Sequence, residues 1–439
     1  MSCTVGFISL GCAKNQIDCE QMMFLLLQAG YQLAPAPEEA ELVVINTCGF
    51  IDAAKSEAID HILRAAAWKA EGRVQKILVT GCLSQRYQDE ILTELPEVDG
   101  ILGTGSYYDI VSAANQVMRG EPVRMFGSID APVRECSRVV TSPRHYAYMK
   151  IAEGCDNRCA FCAIPSLRGR YRSRKPEDIL AEAEALAAAG VRELIVVAQD
   201  TSRYGVDLFG KPMLHDLLRR LCRVNGLHWI RVHYTYPDEL TDELIDAVAE
   251  EPKIVKYLDI PIQHVNDRIL RAMHRRGNKA YLEALFPKLR ARIPGLVIRT
   301  SLIAGLPGEG EAEFDELCDF LRRHRLERVG AFAFSPEEGT PAAEMDYPDA
   351  EIAERRANFI AELQSEIIDE YNERFFDREL EVLIDDWDGE FYIGRTYADS
   401  PGIDGQVRFT SEQEHQPGDF VTVAILGAED GEFIGREAE

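Results

Sequence analysis

Residues Tyr146–Cys162 read YAYMKIAEGCDNRCAFC, and the fold of the chain's middle turns on them. Tyr146–Ile151 is short and apolar in the manner of a strand, and Cys155, Cys159 and Cys162 follow it as Cys-x-x-x-Cys-x-x-Cys. A loop with this spacing can turn three thiolates towards one point. Three thiolates suit a 4Fe–4S cluster with one iron left open, because a closed cluster takes four cysteines. Phe161, between the last two, would shield that cluster from water. The competing readings are a zinc loop short of one ligand and cysteines that merely pack. Zinc asks for a second cysteine pair or for histidines, and none has obvious spacing here. Packing alone does not explain three cysteines within eight residues.

Downstream, strand-like stretches recur at Glu193–Ala198, Trp229–Tyr234, Lys256–Ile260, Val297–Ile303 and Arg328–Phe334. Helical patterns at Pro176–Ala189, Asp238–Ala249, Tyr281–Ile293 and Glu311–His324 lie between them. Six strand–helix units fall short of the eight that close a full barrel, so an open, partial (βα) barrel of parallel strands is expected. Ile352–Phe375 reads as one long helix leading out of it.

Upstream, Val5–Leu10, Leu42–Asn46 and Lys76–Thr80 alternate with helical Gln16–Ala29, Ala53–Lys69 and Gln85–Leu95. That alternation predicts a doubly wound parallel sheet. The apolar run Met22–Leu27 reads as one buried helix face. A cysteine follows each strand: Cys12 in ISLGCAKN, Cys48 in VINTCGF and Cys82 in LVTGCLSQ. Parallel strands end on one edge of their sheet, where ligand sites lie, so three thiols over thirty residues apart in sequence would meet there. Singly, each reads as a buried core cysteine. Jointly they predict a second three-thiolate cluster, with Gly11, Gly49 and Gly81 permitting close backbone approach. Arg119–Arg144, carrying Pro122, Pro132 and Pro143, reads as a linker.

The last 66 residues change character. Val382–Ile384, Phe391–Arg395, Gly405–Phe409, Phe420–Ile425 and Glu432–Gly435 alternate between Asp, Gly and Pro turns. They predict a small all-β barrel of about five strands, similar to an oligonucleotide-binding fold. From Arg374 onward, 5 Arg, no Lys and 17 Asp and Glu give −12, nearly half of the −26 carried by all 439 residues. Such charge repels phosphates, so strong direct nucleic-acid binding is not expected; small molecules or basic macromolecules are. With 46% hydrophobic and 28% charged residues the chain is globular, and its length asks for two or three domains. The expected boundaries are 3–114, a linker at 115–141, a central domain at 142–373 and a terminal one at 374–439. No run of eighteen apolar residues would span a membrane, and the N-terminus lacks a secretory leader. The expected location is the cytoplasm, where the eleven cysteines serve as metal ligands or catalytic thiols rather than disulfides.

Polar residues gather at the expected C-terminal ends of the barrel strands, where such barrels build active sites. They are Gln199 and Asp200, Arg231 and His233, Gln263 and His264, then Arg299, Ser301, Gly305, Gly308 and Glu309, and lastly Ser335 before the turn at Gly339 and Thr340. Together they offer donors and acceptors to a polar cofactor, although any one could be a satisfied core group, His264 above all. The Gly308 loop lacks the Gly-Lys-Ser/Thr ending of a phosphate loop. Leu167–Lys175 (LRGRYRSRK) is a basic island. It reads either as a solvated lead-in to the helix begun by Pro176 or as a contact for a carboxylate of ligand or substrate. Cys3, Cys19, Cys136, Cys222 and Cys318 read as structural or incidental.

With a three-cysteine loop on the first strand of a six-unit barrel, the chain resembles the radical S-adenosylmethionine (SAM) enzymes. From Val5 to about Gly435 it is similar to the methylthiotransferases, whose plan is a domain with three scattered cysteines, a radical core and a terminal barrel called TRAM. Within them SLGCAKNQID, EGCDNRCAFCAIP, QDTSRYG, DIPIQHVNDRILRAM and SPEEGTPAA resemble the branch called RimO, which modifies protein twelve of the small ribosomal subunit. The tRNA-modifying MiaB branch typically shows Gln-Ser-Gly-Ser where this chain has Gln263-His264-Val265-Asn266, and it tends to a basic terminal barrel.

The resemblance implies two 4Fe–4S clusters, one on Cys12, Cys48 and Cys82 and one on Cys155, Cys159 and Cys162. It implies SAM on the open iron of the second, with Gln199 near the methionine end, Gln263 near the ribose, and Ile303–Gly305 with Ser335 near the adenine. One electron from an external donor would release a 5′-deoxyadenosyl radical, which would take hydrogen from the β-carbon of an aspartate. Sulfur held at the first cluster and methylated by a second SAM would complete a 3-methylthioaspartate. Side-chain bases cannot break such a C–H bond, so a cofactor carries the step. The nearest alternative is a tRNA methylthiotransferase of the MiaB type. A non-enzymatic iron–sulfur electron carrier and a zinc-stabilised structural protein are the others.

Overall fold

The computed structural model describes residues 3–438; Glu439, counted above in the terminal domain, lies outside them. Short apolar runs set the first strands, β1 (Thr4–Ser9), β2 (Gln32–Leu33), β3 (Leu42–Thr47), β4 (Lys76–Gly81), β5 (Gly100–Leu102) and β6 (Val123–Met125). Next come β7 (Tyr146–Lys150), the short β8 (Ala152–Glu153) and β9 (Arg172–Ser173), and β10 (Glu193–Val197). They are followed by β11 (Trp229–Val232), β12 (Ile254–Asp259), β13 (Val297–Ala304) and β14 (Arg328–Ala333). The last are β15 (Glu379–Trp387), β16 (Tyr392–Arg395), β17 (Val407–Thr410), β18 (Phe420–Glu429) and β19 (Glu432–Glu437).

The first sheet runs β2-β1-β3-β4-β5-β6 with every neighbour parallel. Leu42 and Val44 of β3 join the core of Met22 and Leu26 from helix Ala13–Gln28 and Val117 from helix Ile110–Met118. Val43 and Ile45 join the opposite core, with Ile62 and Ala65 from helix Asp52–Ala70. Alternate residues entering two apolar layers make the sheet doubly wound, as expected. The chain leaves β1 in one direction and β3 in the other, so the crevice at their C-terminal ends is the ligand-binding switch point of such a sheet. Part of the segment read as a linker proves structural: Val123–Met125 is the parallel edge strand beside β5.

The second sheet runs β14-β13-β12-β11-β10-β7, all parallel and open at its edges. The helix Ala350–Glu373 leads from it to a closed five-stranded barrel, β15-β16-β17-β19-β18. That barrel packs at the starting ends of the parallel strands, where Trp229, Tyr257 and Val297 share a core with Leu383 and Ala398.

Two compact units result. One holds the first sheet through Thr141, together with Ala152–Arg174 and Ser335–Ala343. The other holds Ser142–Ile151, Lys175–Phe334 and the chain from Glu344 onward. The segment bearing Cys155, Cys159 and Cys162 therefore groups with the N-terminal sheet. No helix among the described residues is long and apolar enough to cross a membrane.

Candidate functional site: two cysteine trios

The ends of β1, β3 and β4 bring their cysteines together through glycine. Gly11, at φ +86°, turns so tightly that a β-carbon there would stand 2.7 Å from Cβ and 3.1 Å from Sγ of Cys48. Gly81, at φ +97°, lies against the Thr47 backbone, and a β-carbon on Gly49 would stand 2.8 Å from the backbone of Leu83. The trio grades from exposed Cys12 through half-buried Cys48 to buried Cys82. Desolvation raises the Cys48 thiol, and nearby Cys12 adds to it. Desolvation also pushes Cys82 up to about 11, with Cys48 and Cys12 contributing. At Cys12 desolvation acts upwards too, but the charges of Lys14 and Arg168 outweigh it and hold the thiol below its ordinary value. Thiols gathered this way give up their protons on binding a metal, since the thiolate is the ligand.

Asn15, in the first turn of helix Ala13–Gln28, fastens these ends. Its Nδ2 donates to the carbonyls of Leu10 (3.1 Å) and Thr47 (2.8 Å), and Cys82 Sγ donates to its Oδ1 at 3.7 Å. Arg168 donates to the same Oδ1, to Asp18 Oδ2 at 2.5 Å and to Glu153 Oε2 at 3.4 Å. All of these side chains are buried. Sequence reasoning missed this clamp and misjudged the helix. Its polar half, with Asn15, Asp18 and Glu20, is buried, while Leu25 and Leu27 of the apolar run are only half-buried. Glu20 is satisfied by Arg138 at 2.5 Å and Thr141 at 2.7 Å. The available signal was Asn15 and Asp18, three apart and so on one helix face, just after a Gly-Cys turn.

Around the second trio, β8 and β9 pair as a short antiparallel ladder. The Cys155 amide donates to Gly169 O at 3.1 Å, and the Cys162 amide donates to Cys159 O at 3.0 Å. All three cysteines are half-buried. Cys82 of the first trio packs on Ala163 and Leu167, directly after Cys162. The basic island finds the chain's own carboxylates: Arg168 as above, Arg174 with Glu135 at 2.5 Å, and Arg172 with Asp130 at 3.7 Å. Ser335 falls in this unit, its hydroxyl donating to Glu337 Oε1 at 2.8 Å. Buried Glu337 also accepts from Arg86 at 2.6 Å and Lys55 at 3.0 Å. Among the described residues no group of three or more His, Cys, Asp or Glu is disposed to hold one metal ion. A cubane attaches each thiolate to a different iron, which asks for a wider arrangement, and two trios of soft donors without a fourth suit clusters with an open iron.

In the other unit, Gln199 follows β10, Gln263 follows β12, and Ile303 and Gly305 stand at the end of β13. The structure brings Gln263 and Ile303 together: the Gln263 amide donates to Ser301 O and the Ile303 amide to Gln263 O, both at 2.9 Å. Gln263 adopts φ +68° to do so, and Gly305, at φ +79°, accommodates helix Ala350–Glu373. Several other rim candidates serve the fold instead. Arg231 donates to buried Glu193 at 2.7 Å and to Tyr397 O of the terminal barrel at 2.8 Å, and His233 Nε2 meets Ser400 Oγ of that barrel at 2.9 Å. Arg299 pairs with Asp259 at 2.8 Å. His264 lies buried: its Nδ1 accepts from the Asn266 amide at 3.0 Å, while its Nε2 stands 3.2 Å from Glu309, which Arg356 also holds at 2.8 Å, without a hydrogen bond. Asp200 accepts from Ser202 Oγ at 2.5 Å within its own loop.

Comparison with known families matches these parts one by one. The Radical SAM superfamily matches residues 149–321, the TRAM domain residues 378–437, and an "Uncharacterized protein family UPF0004" residues 4–103. Among solved structures, the radical SAM methyltransferase TsrM from Kitasatospora setae shares the fold (TM-score 0.59, 15% identity, 78% of this chain and 77% of that one). Fold and cysteine site thus define a radical SAM enzyme.

Relatives narrow the family. The "Ribosomal protein uS12 methylthiotransferase RimO" of Symbiobacterium thermophilum is 47% identical over 99% of this chain and 91% of its own length. That of a Thermoanaerobacter species is 45% identical over 98% and 99%. This chain belongs to the RimO-type radical SAM methylthiotransferases, which depend on SAM and 4Fe–4S chemistry.

Proposed function

We propose that this chain places a methylthio group on the β-carbon of an aspartate in ribosomal protein uS12, the substrate its relatives' names carry. In this reading Cys12, Cys48 and Cys82 hold one 4Fe–4S cluster, and Cys155, Cys159 and Cys162 hold a second. Gln199, Gln263, Ile303, Gly305 and Ser335 contact SAM. The enzyme works in the cytoplasm with an external electron donor, and its domains are 3–114, 142–373 and 374–439; of the segment 115–141 between the first two, Val123–Met125 belongs to the first sheet. When bound, these cofactors supply the one-electron chemistry that opens an unactivated C–H bond and delivers sulfur to it.

The chain's own part is to hold and orient. Asn15 fixes the ends of β1 and β3 and takes the Cys82 proton donor, so the first trio keeps its spacing. The Cys155–Gly169 bond and the Ala342-to-Ala160 bond (2.9 Å) shape the second loop. The hydrogen bonds of Gln263 to Ser301 and Ile303 stitch the ends of β12 and β13. The observation that carries the reading is the convergence of three strand-end cysteines in the same unit as the Cys155 loop. The acidic terminal barrel speaks for a basic protein and against tRNA as substrate.

The test is to incubate the anaerobically reconstituted full chain with SAM, dithionite and either uS12 or a tRNA anticodon stem-loop, followed by mass spectrometry. A methylthio group on one aspartate of uS12 is expected. Modified RNA with unmodified uS12 would overturn the assignment.

A further inference from the structure

We propose that Arg168 is a positioning residue that sets the reduction potential of the cluster held by Cys12, Cys48 and Cys82, making it easier to reduce. This rests on the reading above that those three cysteines carry a cluster.

Arg168 ends the short helix Ile164–Arg168 that follows Cys162, yet its side chain is spent on the other trio. It is 3% exposed. It donates to Asn15 Oδ1, the same oxygen to which Cys82 Sγ donates at 3.7 Å, so the guanidinium and that thiol meet on one acceptor. A guanidinium keeps its proton at any working pH, so this positive charge is permanent. A buried positive charge beside a ligating sulfur favours the form with one more electron, and such surroundings set cluster potentials. Asp18 and Glu153, at 2.5 and 3.4 Å, offset part of that charge. The arrangement is therefore a balance, and its two sides can be altered separately. The segment that supplies one set of thiols supplies the counter-charge for the other.

The balance gives variants of opposite sign. The background is the full chain with Cys155→Ala, Cys159→Ala and Cys162→Ala, reconstituted with iron and sulfide so that only the first trio binds. Iron is counted, and the midpoint potential is read by titration with dithionite, following the reduced cluster by electron paramagnetic resonance. Arg168→Gln should shift the midpoint to a lower potential, Asp18→Asn to a higher one, and Arg168→Lys less far than Arg168→Gln. A merely structural brace would lose iron in both arms and could not move them in opposite directions. If Arg168→Gln cannot hold iron because buried carboxylates are left bare, Asp18→Asn and Arg168→Lys decide alone. A midpoint in Asp18→Asn that is unchanged or lowered overturns the inference. A background protein that binds no iron overturns instead the reading on which it rests.

Discussion

At the scale of single residues, the first trio depends less on its cysteines than on what lets them approach. Gly81 combines φ +97° with contact against the Thr47 backbone, so any side chain there is both strained and crowded. Gly81→Ala should cost at least ~1–3 kcal/mol, the usual cost of such backbone strain, read as a lowered denaturation midpoint. Asn15→Ala would leave the buried carbonyls of Leu10 and Thr47 without their donor. Each orphaned group costs about 1–3 kcal/mol, and iron bound at the first trio should fall while that at the second stays. The cysteines themselves were legible because one topological rule places parallel strand ends on one edge. Asn15 and Arg168 were not, since their partnership spans 153 residues and no local pattern announces it.

At the scale of elements, the ion-pair chain Arg231–Glu193–Arg395–Asp385–His145, buried except at half-buried Asp385, holds the terminal barrel to the parallel sheet. Arg395→Ala removes one of the two partners of buried Glu193 and of half-buried Asp385 and should destabilise by up to about 3–5 kcal/mol, measured by denaturant unfolding. Burial alone would raise Glu193, but Arg395 and Arg231 outweigh it and hold its pKa below the usual carboxylate range. Asp385 is likewise lowered against desolvation, by His145 and Arg395. For carboxylates so depressed, the stability they add is complete above their unfolded pKa of about 4 and is lost as pH falls through the lower folded value. Acid titration of unfolding should show that loss below about pH 4, and Arg395→Ala should flatten it. The same element explains a misreading. Arg231, His233 and Arg299 looked like cofactor ligands because polar residues on a central strand invite that view, yet the terminal barrel gives Arg231 and His233 partners in Tyr397 and Ser400, and Arg299 pairs with Asp259 of the neighbouring strand. Strands such as β3 and β10 were plain from their β-branched runs, whereas two- and three-residue strands such as β2, β5 and β6 carry too little pattern to recognise.

At the scale of the whole molecule, −12 of the −26 net charge lies from Arg374 onward, on a barrel that carries no lysine. A surface of that sign steers a basic protein, and the steering is screened by salt. Stopped-flow association with uS12 should slow as ionic strength rises, while dissociation changes less; association insensitive to salt would remove the charge from the account. Whether both cysteine trios hold clusters is decided by counting iron and sulfide on the anaerobically reconstituted chain. About eight irons per chain are predicted, falling to about four in Cys12→Ala/Cys48→Ala/Cys82→Ala, which should still cleave SAM but no longer attach sulfur. A chain that binds only about four irons before and after that change, or a triple variant that still methylthiolates uS12, would contradict the two-cluster reading.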